Sequence, residues 1–266
     1  MTGFDIEPHR RAVTDIVVAA SNRSLEWYRT GMEVENKRSE GFDPVTAADR
    51  AVERQIRDGL AQRFPNHAIF GEEFGVTGDG PHRWIIDPID GTRAFVVGQP
   101  MWGTLVGFES HGRAIAGWMH QPVIDETHIA TPGAATLVRN GTETPLATAP
   151  VTSLAESVLL CTHPEMFTTD ALMADFNRVA GACRLTRFSG DCANYGLVAS
   201  GEAHLVIEAG LAPYDIVPLI PIIEGAGGVI TDRRGRSPLE GGFVVAAATA
   251  ELHAEALALL GPGAEG

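Results

Sequence analysis

Trp84-Ile85-Ile86-Asp87-Pro88-Ile89-Asp90-Gly91-Thr92 begins as an apolar, β-prone run and ends with two carboxylates three residues apart around a proline. Pro88 has no N–H for a sheet ladder and turns Asp87 away from helical dihedrals, which predicts that the strand stops there. Gly91 permits a tight turn, and Thr92 is predicted to be the N-cap of a following helix. Two acids would then stand at the carboxyl end of a strand, beside a helix N-terminus whose amides attract anions. Acids that hold hard cations, next to amides that hold a phosphate, imply metal-assisted phosphatase chemistry. Asp-Pro and Asp-Gly pairs also mark ordinary turns, so the reading depends on other segments.

His67-Ala68-Ile69-Phe70 is a strand candidate that runs into Gly71-Glu72-Glu73, with Glu72 only 15 residues before Asp87. Adjacent acids are commonly solvated surface charge. Here neighbouring strands could bring their ends together, and a carboxylate in that place could bind a cation and accept a proton from water. Thr46-Ala47-Ala48-Asp49 has the form of a capping box. The helix it opens has Val52, Ile56, Leu60 and Phe64 as its buried stripe. Asp49 thus has a complete structural explanation as a cap residue. In Pro213-Tyr214-Asp215-Ile216-Val217-Pro218, Asp215 sits where a loop enters a helix expected over residues 215–225, an ordinary N-cap position.

The chain has 266 residues, which predicts one or two domains with a large core. Twenty basic against 34 acidic side chains give a net charge of -14. With no run of Lys or Arg, that argues against a nucleic-acid binder. Bound divalent cations can still invert the local field for an anionic substrate. Cys161, Cys183 and Cys192 form no CxxC pair, so neither a disulfide framework nor a zinc site is expected. The N-terminus has no signal-like pattern and no apolar run is long enough to cross a bilayer. These features predict a cytoplasmic protein without a membrane partner.

Residues 7–28 carry helical periodicity, and residues 40–44 read as a loop. Residues 103–108 and 114–119 read as strands around a hairpin loop at 109–113, followed by a second strand pair at 127–130 and 135–138. His111, His120 and His128 share no metal-ligand spacing. The polar stretch 141–150 is the expected boundary between an N-terminal half, 1–145, and a C-terminal half, 146–266. Gly75, Gly78 and Gly80 suggest mobility of the connection 75–81 over the site.

Taken together, these segments resemble the inositol monophosphatase family. Gly71-Glu72-Glu73, Trp84 through Thr92, and Tyr214-Asp215 followed by Glu224-Gly225-Ala226-Gly227-Gly228 stand in that family's order, from about residue 8 to residue 260. Within the family, the chain is similar to bacterial histidinol-phosphate phosphatases. That likeness lies in Gly91-Thr92-Arg93-Ala94-Phe95, Pro100-Met101-Trp102-Gly103-Thr104 and Ser189-Gly190-Asp191-Cys192-Ala193-Asn194-Tyr195-Gly196. Tyr214 departs from the tryptophan that many members carry before this aspartate.

The resemblance implies an α+β fold layered α-β-α-β-α, and hydrolysis of a phosphate monoester with two or three Mg²⁺. Matched residue by residue, Glu72, Asp87, the Ile89 carbonyl, Asp90 and Asp215 would be metal ligands. Glu72 would activate the attacking water, and Thr92 paired with Asp49 would help hold it. Gly91 and Thr92 would hold the phosphate. Asp90, Gly190, Asp191, Asn194 and Glu208 would contact the rest of the substrate, with Asp191 and Glu208 suited to the cationic groups of histidinol phosphate. Asp191 read alone is also a helix cap. A small phosphorylated metabolite is the expected partner, and the resemblance adds a homodimer. The expected activity is histidinol-phosphate phosphatase in histidine biosynthesis. The alternatives are inositol monophosphatase, nucleotide 3′-phosphatase, or a regulatory or RNA-associated protein that keeps the fold.

Overall fold

The computed structural model describes residues 4–31, 35–36, 44–45 and 47–261. Val13, Val17 and Ala20 recur at helical spacing and are buried by α1 (Arg10–Arg23), which lies between short helical turns at Glu7–His9 and Ser24–Glu26. Two-residue strands β1 (Glu35–Asn36) and β2 (Pro44–Val45) pair antiparallel. Most of the expected 40–44 loop, and Thr46 with its capping box, lie outside the described residues. α2 (Ala47–Arg63) follows and buries Val52, Ile56 and Leu60 as its periodicity predicts.

Eight strands then form one sheet. They are β3 (Ala68–Gly71), β4 (Gly75–Thr77), β5 (His82–Asp90), β6 (Gly103–Ser110), β7 (Arg113–Gln121), β8 (Glu126–Thr131), β9 (Ala134–Arg139) and β10 (Thr142–Pro145), with the five-residue α3 (Thr92–Val96) between β5 and β6. Their order is β10-β9-β8-β7-β6-β5-β3-β4, antiparallel except where β3 runs parallel to β5. The expected hairpin loop between β6 and β7 shortens to His111-Gly112. Both residues have positive φ, 52° and 70°, as a two-residue hairpin turn requires.

The second sheet contains β11 (Val158–Cys161), β12 (Leu185–Phe188), β13 (Leu205–Leu211), β14 (Val229–Asp232) and β15 (Gly242–Ala247), in the order β12-β11-β13-β15-β14. Its helices are α4 (Asp170–Ala182), α5 (Cys192–Ala199), α6 (Pro213–Ile216), α7 (Leu219–Gly225) and α8 (Ala250–Leu260).

Strand alternation separates the cores. Trp84 and Ile86 of β5 pack with Val13, Val17 and Ile56 of α1 and α2, while Ile85 between them packs with Val198 of α5 and Ile222 of α7. On the far side of the second sheet, Leu159 and Val245 pack with Phe176 of α4 and Leu252 of α8. The layers are therefore α1/α2, first sheet, α5–α7, second sheet, α4/α8, the α-β-α-β-α arrangement expected. Among the described residues, no helix is long and apolar enough to cross a membrane.

Two local expectations are corrected. β5 does not stop at Pro88 but continues to Asp90, because the pairing shifts from Asp87–Leu105 to Asp90–Gly103 and leaves Pro88 in a bulge where no ladder N–H is needed. The Pro88 carbonyl is satisfied by the Thr104 hydroxyl at 2.7 Å. The helix expected over 215–225 is two helices, broken at Val217-Pro218. Pro218 seats against β7 at Gly117, where an added Cβ would stand 1.8 Å from the Pro218 carbonyl oxygen. That close approach presses α6, and Asp215 with it, toward the end of β5.

Candidate metal and phosphate site

Parallel pairing of β3 with β5 places Gly71 opposite Ile86, and the Glu72 N–H donates to the Ile86 carbonyl at 3.1 Å. Glu72 therefore lies beside Asp87, as the two strand ends were expected to meet. The bulge at Pro88 returns Asp90 to the side of Asp87. Asp215 arrives from α6 as the third residue of that helix rather than its N-cap, and its Oδ2 accepts the Ala212 N–H at 2.7 Å. Asp87, Asp90 and Asp215 each offer an oxygen within 4.8 Å of the others. Oxygens around one hard cation at about 2.1 Å lie about 3–4 Å apart, so the spacing fits. Glu72 stands just outside this trio.

The electrostatics describe strain among like charges. Burial pushes the Asp87 carboxyl well above the usual range, and Glu72, Asp90, Asp215 and Asp49 push it further. Burial, Asp191 and Asp215 do the same to Asp90, against a hydrogen bond from the Cys192 backbone N–H to its Oδ2. Asp87 is 2% exposed, and its Oδ1 is buried with no hydrogen-bond partner among the described residues. A buried unpaired carboxylate oxygen costs several kcal/mol in order of magnitude unless a cation or a proton meets it. The donor set, all carboxylate oxygen with carbonyl oxygen nearby, suits Mg²⁺.

Asp49 is buried on α2, and the Thr92 hydroxyl lies between it and Ile89. The hydroxyl donates to the Ile89 carbonyl at 2.9 Å and stands 3.5 Å from Asp49 Oδ1. Thr92 is not the helix cap that was expected. Gly91 occupies that place with φ 83°, and Thr92 is the first residue of α3. A left-handed residue here would strain any side chain, and a Cβ at Gly91 would meet Asp191 Cγ at 3.0 Å.

Asp90, Gly91, Thr92, Asp191 and Asp215 line a cavity of about 470 Å³, with Arg93, Thr162 and His163 also on its wall. Asp191 holds the N-cap position of α5 at φ 47° but makes no side-chain cap hydrogen bond, contrary to the reading of it as a cap alone. Burial and Glu208 push its carboxyl up to about 7, with Asp215 adding to this and Arg93 opposing it. Glu208 also lines the cavity, but its carboxylate is occupied. The Thr162 N–H and hydroxyl donate to one oxygen at 2.8 and 2.7 Å, Asn194 donates to the same oxygen at 3.2 Å, and Tyr195 to the other at 2.9 Å. Gly190 and Asn194 stand behind the wall rather than on it, Gly190 leaving room for the buried Asn194 amide. Sequence reading overlooked Arg93, Thr162 and Tyr195. Arg93 follows Thr92 directly and could have been found as a cation next to the phosphate motif, whereas Thr162 had no local signal.

A model of the inositol monophosphatase family matches residues 5–261. The chain belongs to the inositol monophosphatase family. A bifunctional chloroplastic phosphatase of Arabidopsis thaliana, IMPL2, is 36% identical over an alignment of 259 residues that covers 92% of this chain and 73% of that relative. A histidinol-phosphatase of Chlorobaculum parvum is 32% identical, with 96% of this chain and 98% of that protein covered. Among solved structures, an inositol monophosphatase from Zymomonas mobilis superposes with a TM-score of 0.85 at 33% identity, covering 96% of this chain and 98% of that one. Inositol monophosphatase family members are in general Mg²⁺-dependent phosphatases, and in this member the Asp87–Asp90–Asp215 group could hold such an ion.

Proposed function

We propose that the chain is a Mg²⁺-dependent histidinol-phosphate phosphatase, which releases phosphate and histidinol as a step in histidine biosynthesis. The observation that carries the substrate reading is Asp191. This carboxylate faces the cavity beside Gly91 and is not used to cap α5. A leaving group with an ammonium and an imidazole would restore its charge and satisfy it. The likeness to the Chlorobaculum parvum histidinol-phosphatase supports the same choice, and the likeness to the Zymomonas mobilis inositol monophosphatase supports inositol phosphate as the second reading.

In this reading Asp87, Asp90, Asp215, Glu72 and the Ile89 carbonyl hold the cations. When bound, these supply charge neutralisation of the phosphate and make water a better nucleophile. The protein's part is placement, as phosphoryl transfer requires. The Thr92 amide and the Arg93 side chain orient the phosphate, Glu72 takes the proton from the attacking water, and Asp191 fixes the leaving group. Thr92 and Asp49 hold the water in line. The same reading includes the homodimer and the cytoplasmic location expected from the sequence.

The test is Asp191→Asn assayed on two substrates. A charge-assisted contact contributes about 1.5–3 kcal/mol, so kcat/KM for histidinol phosphate should fall roughly 10- to 100-fold, and that for inositol 1-phosphate much less. Equal losses on both would refute a cation-recognising role.

A further inference from the structure

Glu53 is a fully buried acid one helical turn beyond Asp49 on α2, and the described function does not use it. Its carboxylate reaches across to the turn between β3 and β4. Oε2 accepts the Glu73 N–H at 2.6 Å and Oε1 the Phe74 N–H at 3.3 Å. Arg57, one turn further on, donates Nε to Glu53 Oε1 at 2.6 Å, so the charge is paired inside the protein. The same guanidinium donates to the Gly75 carbonyl, and at 3.1 Å to the Thr77 hydroxyl. Gly71 is what allows this approach. An added Cβ there would lie 2.0 Å from Glu53 Oε1.

We propose that Glu53, braced by Arg57, is a positioning residue that fixes Glu72 for cation binding; this rests on the metal-dependent reading above. Glu72 sits between Gly71 and Glu73, the residue whose amide Glu53 holds. The Glu72 N–H is held by the Ile86 carbonyl on one side, and without a hold on the Glu73 and Phe74 amides the chain on the other side would be free to turn under the repulsion between Glu72 and Asp87. The clamp removes that freedom in advance. It also ties the connection after β3 to α2, which carries Asp49, so that two parts of the water-holding apparatus move as one.

The test is Glu53→Gln in the full-length protein, read in three ways. Calorimetric titration with Mn²⁺ alone should give roughly tenfold weaker binding. Amide exchange at Glu73 and Phe74 should quicken about tenfold or more while β5 amides keep their protection. Turnover of a phosphate monoester should need more Mg²⁺ and show a lower kcat, with KM within about twofold. Unchanged Mn²⁺ affinity and exchange in a folded variant would overturn the proposal. Should Glu53→Gln not fold, Arg57→Lys, which keeps the charge but loses the fork onto Gly75 and Thr77, is expected to show the same three changes in weaker form. Its behaving as wild type in all three would count against the clamp. If the unmutated protein bound no Mn²⁺, the metal-dependent reading would fail on its own, and the exchange result would still report on the clamp.

Discussion

The Cys192 backbone N–H donates to Asp90 Oδ2, joining residues 102 positions apart. This bond ties the start of α5, where Asp191 stands, to the end of β5, where the proposed cation ligands stand, so in the proposed function leaving-group recognition and cation binding share one link. Asn at position 90 could still accept from Cys192 while losing the charge. Asp90→Asn is therefore expected to fold normally and to bind Mn²⁺ at least tenfold more weakly. Asp90→Ala should show the same metal defect and be about 1–3 kcal/mol less stable than Asp90→Asn, because the Cys192 amide is left unpaired. Metal titration together with urea denaturation of both variants checks the distinction.

Asp87 is expected to cost stability in the metal-free protein. Its carboxyl is buried beside Glu72, Asp90, Asp215 and Asp49, with an oxygen that no donor among the described residues meets. In chelator, Asp87→Asn should raise stability by about 1–2 kcal/mol, and Tm by roughly 2–8 °C, because one of the repelling charges is gone. Turnover should fall by at least about a hundredfold. A lowered Tm in the folded variant would show that the acids do not oppose one another in the metal-free protein.

Acid lability should arise at two buried histidines of the first sheet rather than at the acid cluster. His120 and His128 are buried and held neutral, each lowered from 6.5 to about 4 chiefly by burial. The unfolded chain binds these protons first as pH falls, so their contribution is intact above about pH 6.5 and is lost on the way down to about pH 4. The loss is on the order of 3 kcal/mol per residue at full effect. Urea denaturation at about pH 7 and about pH 5, with Mg²⁺ present to keep the acidic site charged, should show the decline. The double variant His120→Gln/His128→Gln should flatten it, and an unchanged slope would place the lability elsewhere.

The meeting of Glu72 with Asp87 was legible from strand ends, a local property, whereas the layered fold was legible only through the family resemblance that the motifs carry. Trp84 and Ile86 facing one way and Ile85 the other is plain strand alternation. The path of β5 past Pro88 was not legible, because the bulge that accommodates the proline depends on the register of β6, a partner distant in sequence. The same holds for α6 and α7, whose break is shaped by Gly117 of β7 as much as by Pro218. Glu53 was hidden by its company. It lies next to Val52 in a helix whose apolar stripe draws the eye, and its role depends on the β3–β4 turn. Glu208 shows the converse case, since its acid character pointed to a ligand while four donors within the protein already meet it.

In the proposed function this acid site hydrolyses a phosphate monoester with a cationic leaving group, using divalent cations. Phosphate release from histidinol phosphate and from inositol 1-phosphate, measured side by side with Mg²⁺ and with chelator, tests it most directly. Release should be abolished by chelator, with kcat/KM at least about tenfold higher for histidinol phosphate. Release that persists in chelator would contradict the metal site, and a preference for inositol 1-phosphate would contradict the reading of Asp191.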